Sequence, residues 1–295
     1  MAQVDKATDQ VNYLNPNYPG SQNIADSDQN LLMGDLFIQL KLPSLPRQIF
    51  SNVEITGATG GLFTIRHKND TNDFELIRRN FNLMESQPIK TGVTTEVMQD
   101  VEAMYGKSAR LIICNMLRSM ANNVENTECL RFLKQHCLDE GTVQANGQTF
   151  EDNFYKLTAK VHECILKANS KNIRTFNGWC VMPYRLVSVI TSVMGKVGGI
   201  DKSDHRSLYV GECGFVKYYF NPDTSDDTIY VGLHDEDMRG RSSAYFGNFS
   251  SDILKVVIQE SGQHEYYIYN RFGFALAPEH EEGNPMLFKF KLDES

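Results

Sequence analysis

The densest group of potential metal ligands in the sequence is the run His234-Asp235-Glu236-Asp237. Imidazole and carboxylate groups are the usual ligands of zinc and of hard divalent cations. Consecutive residues point in different directions, however, so such a run converges on one ion only when a specialised loop holds it. No His-Glu-x-x-His pattern and no paired Cys-x-x-Cys accompanies the run. We therefore favour a solvated turn over a metal site.

Two histidine–cysteine neighbourhoods contain the residue types of a nucleophile and its base. His136 lies beside Cys137, and His162 lies close to Cys164. Both fall in segments with helical periodicity, in which near neighbours point to different faces. This spacing favours residues at the edge of the core or on the surface over a catalytic pair.

Two glycine-containing stretches have some features of a phosphate site. Gly57-Ala58-Thr59-Gly60-Gly61 lacks the Lys-Ser/Thr pair of a phosphate loop, and a tight turn between strands is favoured. Arg239-Gly240-Arg241-Ser242 places arginines on a glycine turn, where a structural salt bridge is favoured. Since no Gly-x-Ser-x-Gly motif is present either, we predict no catalytic, cofactor-binding or metal-binding residue, and no enzyme.

The composition is that of an ordinary globular protein with an acidic balance. Of 295 residues, 41% are hydrophobic and 22% are charged, and the formal net charge is -8. Because neutralising phosphates requires clustered Lys and Arg, this charge argues against a protein whose main function is to bind nucleic acid. No apolar run approaches the roughly 18 residues of a membrane span. The polar N-terminus lacks a hydrophobic signal core, so we expect synthesis in the cytosol and no membrane association.

The cysteines lie in apolar segments and show no paired spacing. Buried free thiols are therefore favoured over disulfides or a metal site. The six residues are Cys114, Cys129, Cys137, Cys164, Cys180 and Cys213.

One long helix is predicted from Ser108 to about Cys137, and the other elements are expected to be arranged around it. At 1.5 Å per residue, about 30 residues give a length of about 45 Å. Its apolar residues recur every four positions and predict a buried stripe, so that Met116→Asp should prevent folding. The stripe consists of Ile112, Met116, Met120 and Val124, with Ile113, Leu117 and Ala121 one position further round. The polar run 125–128 is the point at which this helix could break.

The remaining patterns indicate a mixed α+β fold with helices in the middle of the chain and strands at both ends. Helices are predicted over 94–105, over 150–173 and after Pro183. Strands are predicted at 53–56, 62–65, 178–182, 208–210, 216–220, 228–233, 253–258, 266–270, 272–276 and 286–292.

Two polar parts of the chain have little core of their own. The polar composition of residues 1 to about 30 predicts an extended arm. Such an arm is disordered, or it is ordered only against a neighbouring subunit. Leu31 to Leu42 is mostly apolar and is followed by Pro43 and Pro46, which stop a helix. Arg66 to Thr91 predicts a projecting hairpin or loop, either a solvated surface or a contact with a partner subunit. Deleting Lys68 to Asn80 within it should leave a folded subunit that assembles poorly.

Several segments, in the same order, resemble the major capsid proteins of tailed phages of the T-even myovirus type, which carry the HK97 fold. The likeness spans roughly residues 45 to 280. The similar segments are Gly57–Arg66 (the strand entering the extended loop), Glu96–Gly106 (the helix before the spine), Ser108–Val124 (the spine helix), Phe150–Ala168, Asn177–Val193 and Lys217–Gly232 (the axial domain), and Arg271–Ala275 (the closing strand).

The resemblance implies an α+β HK97-type capsid fold with a long spine helix, an extended loop, and peripheral and axial domains. Compared with the T-even type, the extended loop is short. The implied boundaries are 1–45 for the N-terminal arm, 46–61 for a peripheral-domain strand, 62–92 for the extended loop, 93–139 for the peripheral domain with the spine helix, 140–265 for the axial domain, and 266–295 for C-terminal strands returning to the peripheral domain.

The function implied by the resemblance is structural. A major capsid protein of this type self-assembles into hexamers and pentamers, which form an icosahedral phage head around double-stranded DNA without sequence-specific binding. Decoration, scaffolding and portal proteins are the implied partners, and the implied location is the virion, after synthesis in the host cytoplasm. The alternatives are a minor capsid vertex protein, another phage structural component of the tail or neck, and an enzyme using the run at 234–237.

Overall fold

The computed structural model describes residues 43–55, 61–67, 74–83, 88–106, 108–144, 149–170, 177–197, 208–234, 242–258, 263–277, 280 and 283–293. The chain divides into two units. The described part of the first unit lies within Ser86–Asn123 and Ser251–Asn270. The described part of the second unit lies within Pro43–Glu85, Val124–Ser250 and Arg271–Ser295.

Four of the described helices agree closely with those predicted from the sequence, and the short helix that begins at Pro46 was not predicted. They are α1 (Pro46–Ile49), α2 (Thr95–Tyr105), α3 (Ala109–His136), α4 (Phe150–Ser170) and α5 (Tyr184–Val197). Helix α3 has 28 residues and passes through the polar run 125–128 without a break. None of the helices in the described ranges is both long and apolar enough to cross a bilayer.

The described strands form one six-stranded sheet, one five-stranded sheet and one two-stranded hairpin. They are β1 (Ser51–Glu54), β2 (Gly61–His67), β3 (Phe74–Asn80), β4 (Asn82–Leu83), β5 (Pro88–Thr94), β6 (Leu138–Gln144), β7 (Gly178–Met182), β8 (Tyr209–Cys213), β9 (Val216–Phe220), β10 (Ile229–Leu233), β11 (Ala244–Ile258), β12 (Gln263–Leu276) and β13 (Leu287–Asp293).

In the first unit, the N-terminal half of α3 packs on a pair of antiparallel strands. Strand β5 pairs with β12 from Thr94 opposite Gln263 to Pro88 opposite Tyr269. The chain then enters α2, whose first turn is capped because the Thr94 hydroxyl accepts a hydrogen bond from the Val97 N–H at 3.3 Å. Gly106, with φ 59°, ends α2 in the left-handed conformation that glycine adopts without strain.

The predicted stripe of α3 is buried only along one of its two rows. Ile113, Leu117 and Ala121 are buried against Tyr266 and Ile268 of β12. The row one position before them is exposed, with Met116 at 45%, Met120 at 42% and Val124 at 45%, while Ile112 is half-buried. The expectation that Met116 is buried was wrong, because successive residues lie about 100° apart around a helix and β12 packs on the side that carries Leu117.

The adjacent residues Leu117 and Met116 therefore provide a matched pair for testing which row is buried. Leu117→Ala should lower the free energy of unfolding by about 3 kcal/mol, since it leaves a cavity against the sheet. Met116→Ala, at a position outside this core, should cost less, about 1 kcal/mol. Equilibrium urea unfolding of the two variants checks this, and equal losses would contradict the assignment of the buried row.

The second unit is built on the six-stranded sheet, in the order β6-β13-β10-β7-β9-β8. Two of its five strand pairs are parallel (β6 with β13, β7 with β9), and the other three are antiparallel. Helix α4 contributes the predicted inward face to the core beside this sheet. The residues of this face, all buried, are Phe154, Leu157, Val161 and Ile165.

A second core cluster of this unit is rich in aromatic side chains. Phe50, which follows α1, is fully buried and makes edge-on contacts with Phe132, Trp179 and Phe274 at 5.8–6.1 Å between ring centroids. Edge-to-face contacts of this kind add to the free energy of burying the rings. The segment that enters the unit at Pro43 is therefore held by packing as well as by hydrogen bonds.

Several strands differ from the sequence predictions. The predicted strands 266–270 and 272–276 form a single strand, β12, and the predicted strand 253–258 is the end of the longer β11. Strands β5 and β6, which are largely exposed and polar, were missed. The strand predicted at 62–65 is confirmed as part of β2, but β1 pairs with β11 rather than with β2.

A buried carboxylate, Asp226, connects the C-terminal part of α3 to the loop before β10. It accepts hydrogen bonds from the Tyr230 hydroxyl at 2.8 Å and the Asn221 amide at 3.3 Å, and the Lys134 ammonium lies 3.3 Å away. Burial raises the pKa of Asp226, but the hydrogen bonds from Tyr230 and Thr228 and the charge of Lys134 outweigh this effect, so its pKa is lowered.

The lowered pKa of Asp226 predicts a loss of stability in acid. The contribution of the carboxylate is complete above its unfolded pKa of about 3.9 and is lost as the pH falls through the lower folded pKa. Urea unfolding between pH 7 and pH 3 should therefore show a flatter pH dependence for Asp226→Asn than for the unchanged protein. The neighbouring Asp227, 60% exposed and 3.0 Å from Arg185, is the matched control. Asp227→Asn should follow the unchanged protein, because exposed ion pairs contribute little. A flattened profile for Asp227→Asn alone would contradict the prediction.

Candidate intersubunit surface

A buried carboxylate on α3 holds the segment that enters the second unit. Glu125 is 0% exposed, and it accepts hydrogen bonds from the Ser44 hydroxyl and from two nitrogens of Arg47, at 3.1 Å (Nε) and 2.9 Å. A buried charge is tolerated only when it is paired and hydrogen-bonded. The guanidinium of Arg47 supplies the pairing charge, and it also lies over the ring of Phe246 at 5.6 Å.

The next residue of α3 completes this attachment. The Asn126 side-chain oxygen accepts a hydrogen bond from the Leu45 N–H at 2.6 Å, and its amide group donates to the Pro43 carbonyl at 3.0 Å. We call Ser44, Leu45, Arg47, Glu125 and Asn126 the N-terminal clamp. It fixes the point at which the first described residue of the chain, Pro43, lies against the middle of α3.

The hairpin of β2 and β3 forms a separate two-stranded sheet. Gly61 lies opposite Asn80 and His67 lies opposite Phe74 in a regular antiparallel register. Neither strand pairs with another strand of the described ranges. An isolated two-stranded hairpin is marginally stable at best in water, which makes it a candidate for contact with another molecule. The turn residues 68–73 lie outside the described residues.

Exposed apolar side chains mark further candidate contact surfaces. On α3 they form the row Met116, Met120 and Val124. On the helices of the second unit they include Tyr155 at 65%, Leu166 at 52% and Tyr184 at 66%. Scattered apolar residues are normal on a surface, but a continuous row along one helix is a pattern typical of a binding surface.

The described histidine–cysteine neighbourhoods form no catalytic pair. His136 packs on Phe132 at 4.7 Å between ring centroids, and Cys137 is buried. His162 stacks on Phe215 at 4.7 Å, and burial lowers the pKa of its imidazole. Cys164 points into the core of the unit, and burial raises the pKa of its thiol to about 12. Thiols with raised pKa values are poor nucleophiles, so these residues act in packing.

The other candidates for chemistry lie wholly or partly outside the described residues. Within the run at 234–237, only His234 is described, in an isolated bridge with Ser242. Residues 57–60 of the glycine-rich stretch and 239–241 of the arginine turn are not described. No group of three or more potential metal ligands occurs in the described part of the chain. The six cysteines are free, and four of them are buried.

The sequence did not predict the N-terminal clamp, although two of its residues lie in a polar run that was noted within α3. Glu125 and Asn126 belong to the polar run that suggested a break in α3. A carboxylate and an amide side by side inside an otherwise strong helical pattern are the available signal. Their partners lie about 80 positions earlier in the chain, and nothing in the local sequence indicates that pairing.

No protein-family model and no curated protein sequence matches this chain. Solved structures do match it. A structure of Mycobacterium phage Bobi has a TM-score of 0.56 at 13% identity, covering 92% of this chain and 100% of that one. A structure of Gordonia phage Cozz has a TM-score of 0.56 at 10% identity, covering 86% and 87%. The capsid structure of the Cyanophage P-SCSP1u has a TM-score of 0.51 at 8% identity, covering 83% and 87%.

At these identities the likeness defines the fold. The chain has a mixed α+β fold of the kind found in phage capsid structures, and it matches them over most of its length. The predicted fold class is therefore confirmed.

Proposed function

We propose that this protein is a major capsid protein with the HK97-type fold, a structural subunit and not an enzyme. The observation that carries the proposal is the shared fold, which extends over 92% of this chain and all of one phage structure. A match of this extent leaves little of the chain for an added catalytic domain. The T-even myovirus type within this fold is part of the proposal and rests on the sequence resemblance.

In this proposal, residues 1–45 form the N-terminal arm and 62–92 the extended loop that reaches a neighbouring subunit. The hairpin of β2 and β3 falls within that loop, which supports its assignment as a contact element. The peripheral domain comprises 46–61, 93–139 and 266–295, and the axial domain comprises 140–265. Hexamers and pentamers of the subunit form an icosahedral head around double-stranded DNA.

The proposed partners follow from this role. They are other copies of the chain, a separate scaffolding protein, a portal and decoration proteins. The DNA is enclosed without sequence-specific binding, which suits the net charge of -8, because an inner wall that bound phosphates tightly would hinder packing and release. The virion is the proposed location, after synthesis in the host cytoplasm.

Negative-stain electron microscopy and size-exclusion chromatography of the purified full chain test the proposal. Capsomers, sheets or closed shells are the expected result. Open rings or tubes would indicate a tail or neck component instead, and a few copies restricted to the vertices of a particle would indicate a minor subunit. A protein that stays monomeric with and without a co-expressed scaffold would overturn the proposal.

A further inference from the structure

Helix α3 presents a regular row of exposed apolar side chains to its surroundings. Met116, Met120 and Val124 follow one another at intervals of four residues and are 42–45% exposed, and half-buried Ile112 begins the row. Residues four apart are neighbours on a helix surface, so the row is continuous for about 18 Å at 1.5 Å per residue. We call these four residues the outer row of α3.

The N-terminal clamp lies at one end of the outer row. Val124, the last residue of the row, directly precedes Glu125 and Asn126, and the Asn126 amide donates a hydrogen bond to the Pro43 carbonyl at 3.0 Å. Pro43, the residue to which the preceding segment is joined, is therefore hydrogen-bonded to α3 at the helical turn where the outer row ends.

The segment joined directly to Pro43 has the composition of a partner for such a row. Eight of the twelve residues in Leu31–Leu42 are Leu, Ile, Met or Phe. Twelve residues span at most about 40 Å when extended and about 18 Å as a helix, so the segment is long enough to cover the row in either form. Because no linker separates it from the clamp, its effective concentration at the row of its own chain reaches the millimolar range.

We propose that Leu31–Leu42 docks on the outer row of α3 in the same chain. The docking buries Met116 and Met120 and leaves residues 1–30 as the arm that is available to other copies. The inference goes beyond the proposed capsid function and does not depend on it, because the contact forms within one chain.

Photo-cross-linking in the full chain tests this docking. Met116 is replaced by p-benzoylphenylalanine in unlabelled protein, which is mixed with an equal amount of nitrogen-15-labelled protein that lacks the photo-reactive group. After irradiation, mass spectrometry should find position 116 linked to peptides from 31–42 that carry no label. Labelled 31–42 peptides would show that another copy covers the row. Links to other segments only, or none, would show that 31–42 does not lie there. Either result overturns the proposal.

Two further variants make the test specific. The same photo-reactive residue at Tyr155, which is 65% exposed on α4, should give no link to 31–42 and controls for random collisions. Met120→Asp should lower the yield of the link from position 116 by about tenfold, since docking would bury a charge. The thermal unfolding transition of this variant should be retained, because Met120 does not belong to the core that α3 forms with β12. An unchanged yield in the Met120→Asp variant would overturn the proposal.

Discussion

Deleting Gly61–Asn80 and closing the gap with a short Gly-Ser linker is expected to leave a folded subunit that no longer assembles. In the described structure, β2 and β3 pair only with each other, so their removal takes no partner strand from the remaining described sheets. The whole hairpin must go, because deleting only Lys68–Asn80 would leave β2 without its partner strand. Losing one contact worth 1.4 kcal/mol raises the concentration needed for association about tenfold, and a shell repeats each contact at every subunit.

Two measurements separate assembly from folding in this variant. Thermal unfolding should show a single transition at the midpoint of the full chain under dissociating conditions, and electron microscopy should show no shells at concentrations where the full chain forms them. Normal shells would show that the hairpin is not an intersubunit contact. Loss of the thermal transition would show that the hairpin belongs to the fold of the subunit itself.

The helices were predictable because their signals are local. Helix α2 has a capping threonine at its start and Gly106 at its end, and both act on the backbone of the helix itself. The inward face of α4 follows from the 3.6-residue period alone. Strand β7 was predicted with the observed bounds, since it is a short apolar run buried on both faces.

The local sequence of α3 does not determine which of its two apolar rows is buried. The sequence contains two apolar rows side by side, and periodicity cannot distinguish them. The row of Leu117 is buried because Tyr266 and Ile268 lie on the facing strand, about 150 positions later in the chain. Strand β5 was missed for a related reason: it is exposed at alternate positions and is identified only by its pairing with β12.

The need for a glycine at position 232 becomes clear only from its neighbours in the folded sheet. Gly232 is the last residue of Lys217–Gly232, one of the segments that carry the resemblance, and the sequence offers no physical explanation for a glycine there. In the six-stranded sheet Gly232 lies opposite Trp179, and a Cβ atom at Gly232 would lie 2.4 Å from the indole ring. The indole therefore occupies the space that a side chain on β10 would need, which the linear sequence cannot reveal.

Replacing Glu125 by alanine is expected to be the most damaging change of a single polar residue in the second unit. The substitution leaves the Ser44 hydroxyl and the Arg47 guanidinium without their acceptor on α3. Breaking a buried ion pair costs about 3 to 5 kcal/mol. Because the side chain of Arg47 is 39% exposed, water can solvate part of it, and we expect a loss of about 3 kcal/mol in urea unfolding. Amide hydrogen exchange over residues 44–50 should accelerate more than elsewhere.

The matched control for Glu125 is on the same helix. Glu128 pairs with Arg131 at 3.0 Å, and the side chains of Arg131 and Glu128 are 63% and 13% exposed. Because the arginine is largely solvated, Glu128→Ala should cost about 1 kcal/mol or less. In a double-mutant cycle, Arg47→Ala should cost much less in a chain that already carries Glu125→Ala than in the unchanged protein, because the two side chains act as one pair. Additive losses, or equal losses for Glu125→Ala and Glu128→Ala, would mean that the clamp does not hold the segment at Pro43. In that case the entry of the chain into the second unit would depend on the packing of Leu45, Ile49 and Phe50.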